Sequence, residues 1–433
     1  MRVPAVLSDD GGLGSVFSAP ATFSPVSRYF AHALAPDIPL GASVLDDFDF
    51  RSPGVRDGPW NFSPIVRATL RSGFSCPIDT THLGHLPGKL HVNANDGAQY
   101  LQSLIRDDII SPARPVFSHR HFFVRQNGKL RLIFDGRRVN SRSPEPPPFA
   151  MLSHLELSRL AGRYSWCAKF DLANFYWNLR LDPKIRHLFG LRTSIGDFVW
   201  NRLPFGFSHS AHQSHELAEA ICEHLRSLGF HVWHYMDDFC VFADTQSQCQ
   251  SDLAACISFC ESIGVRVKAR KTVFPSQRLP ILGVTYDLVA KTSSMQPSYF
   301  GSLFASLRSL ESLGVVKRSV FASFLGSALF LNSAYPGALS VFNDLISWFN
   351  GFAELAWSDR INMSGALPIA QSALMAVSAF PPCALQAVGG DGLRIYADAT
   401  PFQLGVAIGG TFHAKQIAET PIFEAEAAAL SFA

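Results

Sequence analysis

Apolar and polar positions along the chain recur at two spacings, about 3.6 and 2 residues, the marks of amphipathic helices and half-buried strands. GAQYLQSLIRDDII from Gly97, AHQSHELAEAICEHLRSLG from Ala211 and SQCQSDLAACISFCESIG from Ser247 carry the helical spacing. HFFVRQNGKLRLIFD from His121 reads as a hairpin, because Asn127-Gly128 tolerates the positive φ of a tight turn. WCAKFDLANFYWNL from Trp166 begins as a strand, HVWHYMDDFCVFA from His231 reads as strand, turn, strand, and RLPILGVTYD from Arg278 as one further strand. Residues 301–380 are apolar and mainly helical in pattern. LRIYADATPFQLGVAIGGTFHAKQI resumes strand character, with turns expected at Thr400-Pro401 and Gly409-Gly410. The first ninety or so residues, with segments such as PDIPLGAS and RSPGVRDGPW, lack a period and predict an irregular extension. SRSPEPPPFA predicts a proline-rich linker.

Composition adds limits to this pattern. With 433 residues, 47% hydrophobic and 17% charged, the chain can bury a large core spread over two or more domains. A net charge of +2 excludes a uniformly basic coat and leaves room for local basic surfaces. Eight Lys or Arg fall between Ala113 and Arg142 against the single acid Asp135, and five fall between Ile263 and Arg278 with no acid. The eight cysteines form no C-x-x-C pair, so neither a disulfide framework nor a zinc site is favoured. That usage, and a start without a sustained apolar core, predict an intracellular protein (cytoplasm, nucleus or viral particle) that is not secreted. The charge-free stretch Ser319–Asn343 is long enough to span a bilayer, but its Ser, Asn, Gly and Pro content reads better as a buried helix and turn, with no membrane partner.

The chemistry begins in HYMDDF, where Asp237 and Asp238 interrupt an apolar run. Charges withdrawn from water cost several kcal/mol each unless something compensates them. A third acid in a comparable apolar strand, Asp171 in KFDLANFY, lies 66 residues upstream. Carboxylates delivered to one point by separate strands make a hard-oxygen site suited to Mg2+. With two ions about 3.5–4 Å apart, such a site forms the clamp used for in-line displacement at phosphorus. The bland reading is that these are ordinary turn acids.

At this point the residues resemble a known family, the reverse transcriptases of retroelements and reverse-transcribing viruses. YMDD (Tyr235–Asp238) is similar to the family's catalytic hairpin, KFDLANFYWNLRL to its first catalytic strand, LPFGFSHSAHQ to the loop and helix beneath template and nucleotide, and GKLRLIFDGRRVN to its fingers strand. GVRVKARKT followed by LPILGVTYD resembles the lysine-bearing segment and the primer-grip hairpin. The blocks stand in family order over roughly residues 97–300. The resemblance implies Asp171, Asp237 and Asp238 as catalytic metal ligands, and Arg125, Arg131, Tyr176, Phe205, Gly206 and Lys271 as nucleotide contacts. It also implies Leu282 and Gly283 as the primer grip. Tyr176 would exclude a ribose 2′-hydroxyl, the handle that separates RNA from DNA precursors. Lys271 would protonate pyrophosphate or simply contact phosphate. Against these stand plainer readings: Arg131 and Lys271 as solvated edge charges, Tyr176 as a core aromatic. Two departures concern the pocket: Ala211 where many relatives have proline, and Phe205 where an amide is frequent. IYADATPFQLGVAIGG and TPIFEAEAAALSFA resemble the opening of a ribonuclease H domain, with Asp398 and Glu426 matching two of its four acids. Otherwise Asp398 is a turn acid and Glu426 a solvated helix residue. The wording of ADATP, YPGAL, LPFG and YMDD leans toward hepadnavirus-like polymerases, with tyrosine-recombinase retrotransposons also near.

The expected fold is therefore α+β, a right-hand polymerase of fingers, palm and thumb followed by the start of a ribonuclease H-like α/β fold. Its expected parts are an irregular extension (1–95), fingers and palm (96–300), a helical thumb or connection (301–385) and a partial ribonuclease H-like segment (390–433). The expected function is an RNA-directed DNA polymerase using two Mg2+ ions, with Mn2+ as the alternative, on an RNA/DNA template-primer and deoxynucleoside triphosphates. Ribonuclease H activity, oligomeric state and priming mode stay open. The rivals are a catalytically idle scaffold that binds nucleic acid and a metal-dependent phosphohydrolase, the latter lacking a His-rich ligand set.

Overall fold

The computed structural model describes residue 60 and residues 62–85, 89–92, 97–126, 129–385, 395–400, 403–408 and 411–416. The described residues up to 385 belong to one compact unit and those from 395 to a second.

The first unit is built around a four-stranded antiparallel sheet. Its strand order is Val232–Tyr235, Asp238–Ala243, Trp166–Asp171, Val273–Ser276. Trp166 pairs with Ala243 and Asp171 with Asp238, so the apolar length of both strands is zipped before the acids are reached. Strand side chains alternate faces, and here both faces are covered. Ala168, Phe170, Phe239 and Val241 belong to one core with helices Ser208–Ser227 and Gln246–Ser262. Cys167, Cys240 and Phe242 belong to a second core, shared with Leu279, Ile281, Tyr286 and the helices Pro297–Leu313, Arg318–Leu329 and Ala366–Ser378. Two-sided burial explains why these strands read as unbroken apolar runs.

Most of the predicted elements are present, with four differences. The extension is not wholly irregular, because Pro64–Ser72 is a helix capped by Ser63. Phe62, Val66 and Phe74 are buried in the first core, and the Phe74 amide donates to the Arg180 carbonyl at 2.7 Å. The proline-rich linker leads into a helix, His154–Arg163, started by a capping box between Ser153 and Glu156. RLPILGVTYD is a hairpin, not one strand: Arg278–Ile281 and Val284–Asp287 are joined by Leu282 and Gly283, both at positive φ. The turn in HYMDDF comprises Met236 and Asp237, while Asp238 already pairs with Tyr235 in the returning strand.

Of the predicted hairpin after His121, strands His121–Gln126 and Lys129–Phe134 are observed with Gln126 opposite Lys129. At its base the backbone comes against the loop after Leu203. A Cβ on Gly206 would lie 2.2 Å from the Phe134 carbonyl oxygen, and Gly206 has φ +107°. Arg202, 1% exposed, holds the start of that loop by donating to the Trp177 carbonyl at 3.0 Å and the Asp108 carbonyl at 3.3 Å. Among the described residues no helix is long and apolar enough to cross a membrane. The eight cysteines are all free, and Cys256 and Cys260 are both buried.

In the second unit three antiparallel strands, Ile395–Thr400, Gln403–Ile408 and Thr411–Gln416, form a meander with Thr400 opposite Gln403 and Ile408 opposite Thr411. The predicted strand character is there; Pro401, Gly409, Gly410 and Glu426 lie outside the described residues.

Replacing Gly206 by alanine should destabilise the first unit by about 2–3 kcal/mol through the clash and the positive φ together, read as a lower midpoint in urea unfolding.

Candidate active site

Strand pairing brings the three acids together. Asp171 ends its strand directly opposite Asp238, and opposed residues in an antiparallel pair share a face with Cβ atoms about 4.5–5.5 Å apart. The Leu172 amide donates to the Asp237 carbonyl at 2.9 Å, which carries the pairing into the turn. Asp171 is 3% exposed. Its charge is met by two ammonium groups: Lys268 Nζ donates to Oδ1, and Lys271 Nζ donates to Oδ2 at 2.7 Å. Lys268 Nζ also lies 3.7 Å from Asp237 Oδ2. Burial, then the like charge of Asp171, push the Asp237 carboxyl above the usual carboxylate range, with Lys268 opposing. Asp238 is raised by burial, with Lys169 opposing. Burial would lower Lys271, but its hydrogen bond to Asp171 together with the negative charges of Asp171, Asp237 and Asp238 outweighs this and raises it.

The turn itself is held from behind. Met236 has φ +54°, a left-handed conformation that costs a non-glycine residue about 1–2 kcal/mol. The buried His234 faces the Met236 carbonyl with Nδ1 at 3.1 Å and Glu219 Oε2 with Nε2 at 3.1 Å. Both partners accept, so the ring serves as a strut between the turn and helix Ser208–Ser227. Arg226 donates to the other Glu219 oxygen. The His234 hydrogen bond, followed by the Arg226 hydrogen bond, outweighs burial and draws the Glu219 carboxyl down to about 2.

The other predicted residues divide into those near this centre and those away from it. Tyr176 sits in the 3-10 turn Phe175–Asn178, half-buried, its hydroxyl raised by burial and then by the charge of Asp237. Phe205 packs on Tyr176 with ring centroids 4.7 Å apart, and Gly206 follows it. Asn140 clasps this loop, Nδ2 donating to the Gly206 carbonyl at 2.9 Å and Oδ1 accepting from the Ser208 amide at 3.0 Å. Helix Ser208–Ser227 starts without a side-chain cap and needs no proline at Ala211. Arg125 and Arg131 are both exposed, but their partners Leu130 and Val124 put them on opposite faces of the hairpin. Leu282 and Gly283 sit at the tip of the second-sheet hairpin, beside Phe330, which would meet a Gly283 Cβ at 3.2 Å. Lys169 ties that hairpin to the central strand by donating to the Pro280 carbonyl at 3.2 Å. Asp398 occupies a strand position opposite Gly405 in the second unit. Lys268, His234, Glu219 and Asn140 were not anticipated; only the KARK spacing offered a sign of the first.

The donor set fits a divalent hard cation in kind, since all three acids offer only oxygen. Asp171 and Asp237 already converge on one cation, the Lys268 ammonium. A closed cage is not preassembled: among the described residues no three His, Cys, Asp or Glu side chains are grouped to hold a metal.

Residues 124–286 match the family model described as reverse transcriptase (RNA-dependent DNA polymerase). The genome polyprotein of Petunia vein clearing virus is 24% identical over 220 residues, which is 48% of this chain and 10% of the relative. The Gag-Pol polyprotein of Avian reticuloendotheliosis virus is 28% identical over 180 residues, 37% of this chain and 15% of the relative. The chain thus spans a small part of these relatives' length. The structure of a foamy viral protease-reverse transcriptase in complex with double-stranded DNA superposes with TM-score 0.62 at 15% identity, covering 89% of this chain and 67% of that one. A second foamy viral structure, in complex with an RNA/DNA hybrid, gives 0.60 at 16% identity, covering 90% and 51%. These likenesses give the fold as the fingers-palm-thumb architecture. They single out neither the hepadnavirus-like nor the tyrosine-recombinase lineage. Residues 124–286 form a reverse transcriptase domain of the retroviral and retroelement type.

Proposed function

We propose that the chain is an RNA-directed DNA polymerase that extends a primer on an RNA or DNA template. The observation that carries this is the convergence of Asp171, Asp237 and Asp238 at the end of two paired strands, with Lys271 on Asp171 and Tyr176 beside Asp237. Asp171, Asp237 and Asp238 would hold Mg2+, or Mn2+, and the pair of ions would supply the Lewis acidity that lowers the barrier to nucleotidyl transfer. The chain's own contribution is positional. Asp171 is fixed by strand pairing and the turn carrying Asp237 by the strut from His234, so the backbone that bears both acids is held in place. Tyr176, backed by Phe205, would present a ring edge where a ribose 2′-hydroxyl would otherwise fit, and Gly206 would let backbone approach the base pair. Lys271 would place its ammonium at the departing pyrophosphate. Arg131, on the exposed face of the hairpin, would meet the triphosphate, with Arg125 reaching phosphate from the other face. Leu282 and Gly283 would seat the primer strand against the helical region.

In this reading 96–300 are fingers and palm, 301–385 thumb or connection, and 390–433 the opening of a ribonuclease H-like fold, with residues 1–95 leading in. Asp398 and Glu426 would belong to that last part, and two acids are too few to assign cleavage. The hepadnavirus-like or tyrosine-recombinase lineage rests on the wording of ADATP, YPGAL, LPFG and YMDD. The rival reading, an idle scaffold, is disfavoured because acids stand intact at all three positions that the metal reading needs.

Primer extension on an RNA template with Mg2+ tests this: Asp237→Asn should lose about a thousandfold or more in rate, and equal product from variant and wild type would remove the assignment. Tyr176→Val should raise ribonucleotide incorporation by about 10- to 100-fold; unchanged sugar preference would remove the gate. Because the Glu219 carboxyl is drawn from 4.5 to about 2, its pairing with His234 stabilises the fold above the ordinary value and that contribution fades as pH falls toward about 2. The difference in melting temperature between wild type and Glu219→Gln should shrink over that window.

A further inference from the structure

The lysine nearest the catalytic acids is not the one the family resemblance points to. Lys271 touches Asp171 alone, whereas Lys268 reaches both Asp171 and Asp237. Backbone pairing puts it there. The Ala173 amide donates to the Arg266 carbonyl at 2.8 Å, Leu172 forms an antiparallel bridge with Val267, and the Lys268 amide donates to the Asp171 carbonyl at 2.8 Å. The segment from Arg266 is thus paired against the strand end that bears Asp171, in a register that brings Lys268 alongside it. The short 3-10 turn Ala269–Lys271 then folds back, and three-residue spacing in such a turn aligns Lys268 and Lys271 on one side. Both ammonium groups meet the same buried carboxylate, one on each oxygen.

A buried carboxylate without a counter-charge is strongly destabilising. Lys268 answers that need at Asp171 and also offsets the repulsion between Asp171 and Asp237. Its contact atoms, however, are the oxygens that a divalent ion between these two acids would use. An ammonium is a compact point charge, and in contact with the same oxygens it repels a second cation brought there. We infer that Lys268 is a resident cation of this site, holding Asp171 and Asp237 together in the metal-free chain and competing with divalent ions for them. The competing half of this inference rests on the metal reading proposed above; the holding half does not. Lys268 is accordingly a positioning residue: ion entry has to displace its side chain, and the observed affinity is the intrinsic one reduced by that cost.

The test uses the full chain and Mn2+, whose free aqua ion is counted by electron paramagnetic resonance, together with thermal melting in EDTA. Lys268→Met should bind Mn2+ about tenfold more tightly than wild type and should melt several degrees lower in EDTA. Lys268→Arg, which keeps the charge, should restore the melting temperature and the weak binding, and it serves if the methionine variant does not fold. Unchanged or weaker Mn2+ binding by Lys268→Met, in a chain where Asp171→Asn abolishes binding, would overturn the competition. A melting temperature equal to wild type in EDTA would overturn the holding role. Wild-type Mn2+ binding indifferent to both Asp171→Asn and Asp237→Asn would instead sink the metal reading, and the competition with it.

Discussion

The structure depends on one electrostatic constraint: a carboxylate, Asp171, stands at the end of a strand whose preceding residues are buried on both faces. Such a group is tolerated only with cations at its oxygens. Lys268 and Lys271 provide them, and they come from a segment zipped to the strand end by backbone hydrogen bonds. The sheet, the lysine segment and the turn carrying Asp237 are therefore parts of a single electrostatic unit. Loss of the lysine segment would leave Asp171 a buried, uncompensated charge.

Much of this arrangement was legible because it is written in local chemistry. Asp237 and Asp238 stand out since adjacent charges break an apolar run, and Asp171 since it closes another. The hairpin of His121–Phe134 announces itself through Asn127-Gly128 and alternation on each side. The two long helices on the first core show their 3.6-residue spacing plainly. Even the mainly helical character of residues 301–380 follows from composition and length.

What escaped is tertiary. The Leu282–Gly283 turn was hidden from the apolar pattern because a leucine at positive φ is not a turn signal, and only the resemblance to a primer-grip hairpin pointed to it. Helix Pro64–Ser72 was passed over although Ser63, Pro64 and Gly73 mark its two ends, because it is short and its apolar contact with the first core, through Val66, is tertiary. Arg125 and Arg131 look equivalent in the sequence, yet the register assigns them to opposite faces. Lys268 and Glu219 are ordinary charges until the segments that carry them are brought against Asp171 and His234. The choice between Lys268 and Lys271 as the closer partner turns on two backbone hydrogen bonds and the sense of a 3-10 turn.

The close approach of Gly206 to Phe134, with Asn140 grasping the backbone on both sides of that glycine's loop, has a mechanical meaning. The root of the His121–Phe134 hairpin is clamped to the floor beneath Tyr176, with no room for a pivot at that level. If the hairpin swings toward a bound molecule, the bending is confined to the outer length of its two strands, which moves like a leaf spring while the floor keeps its shape.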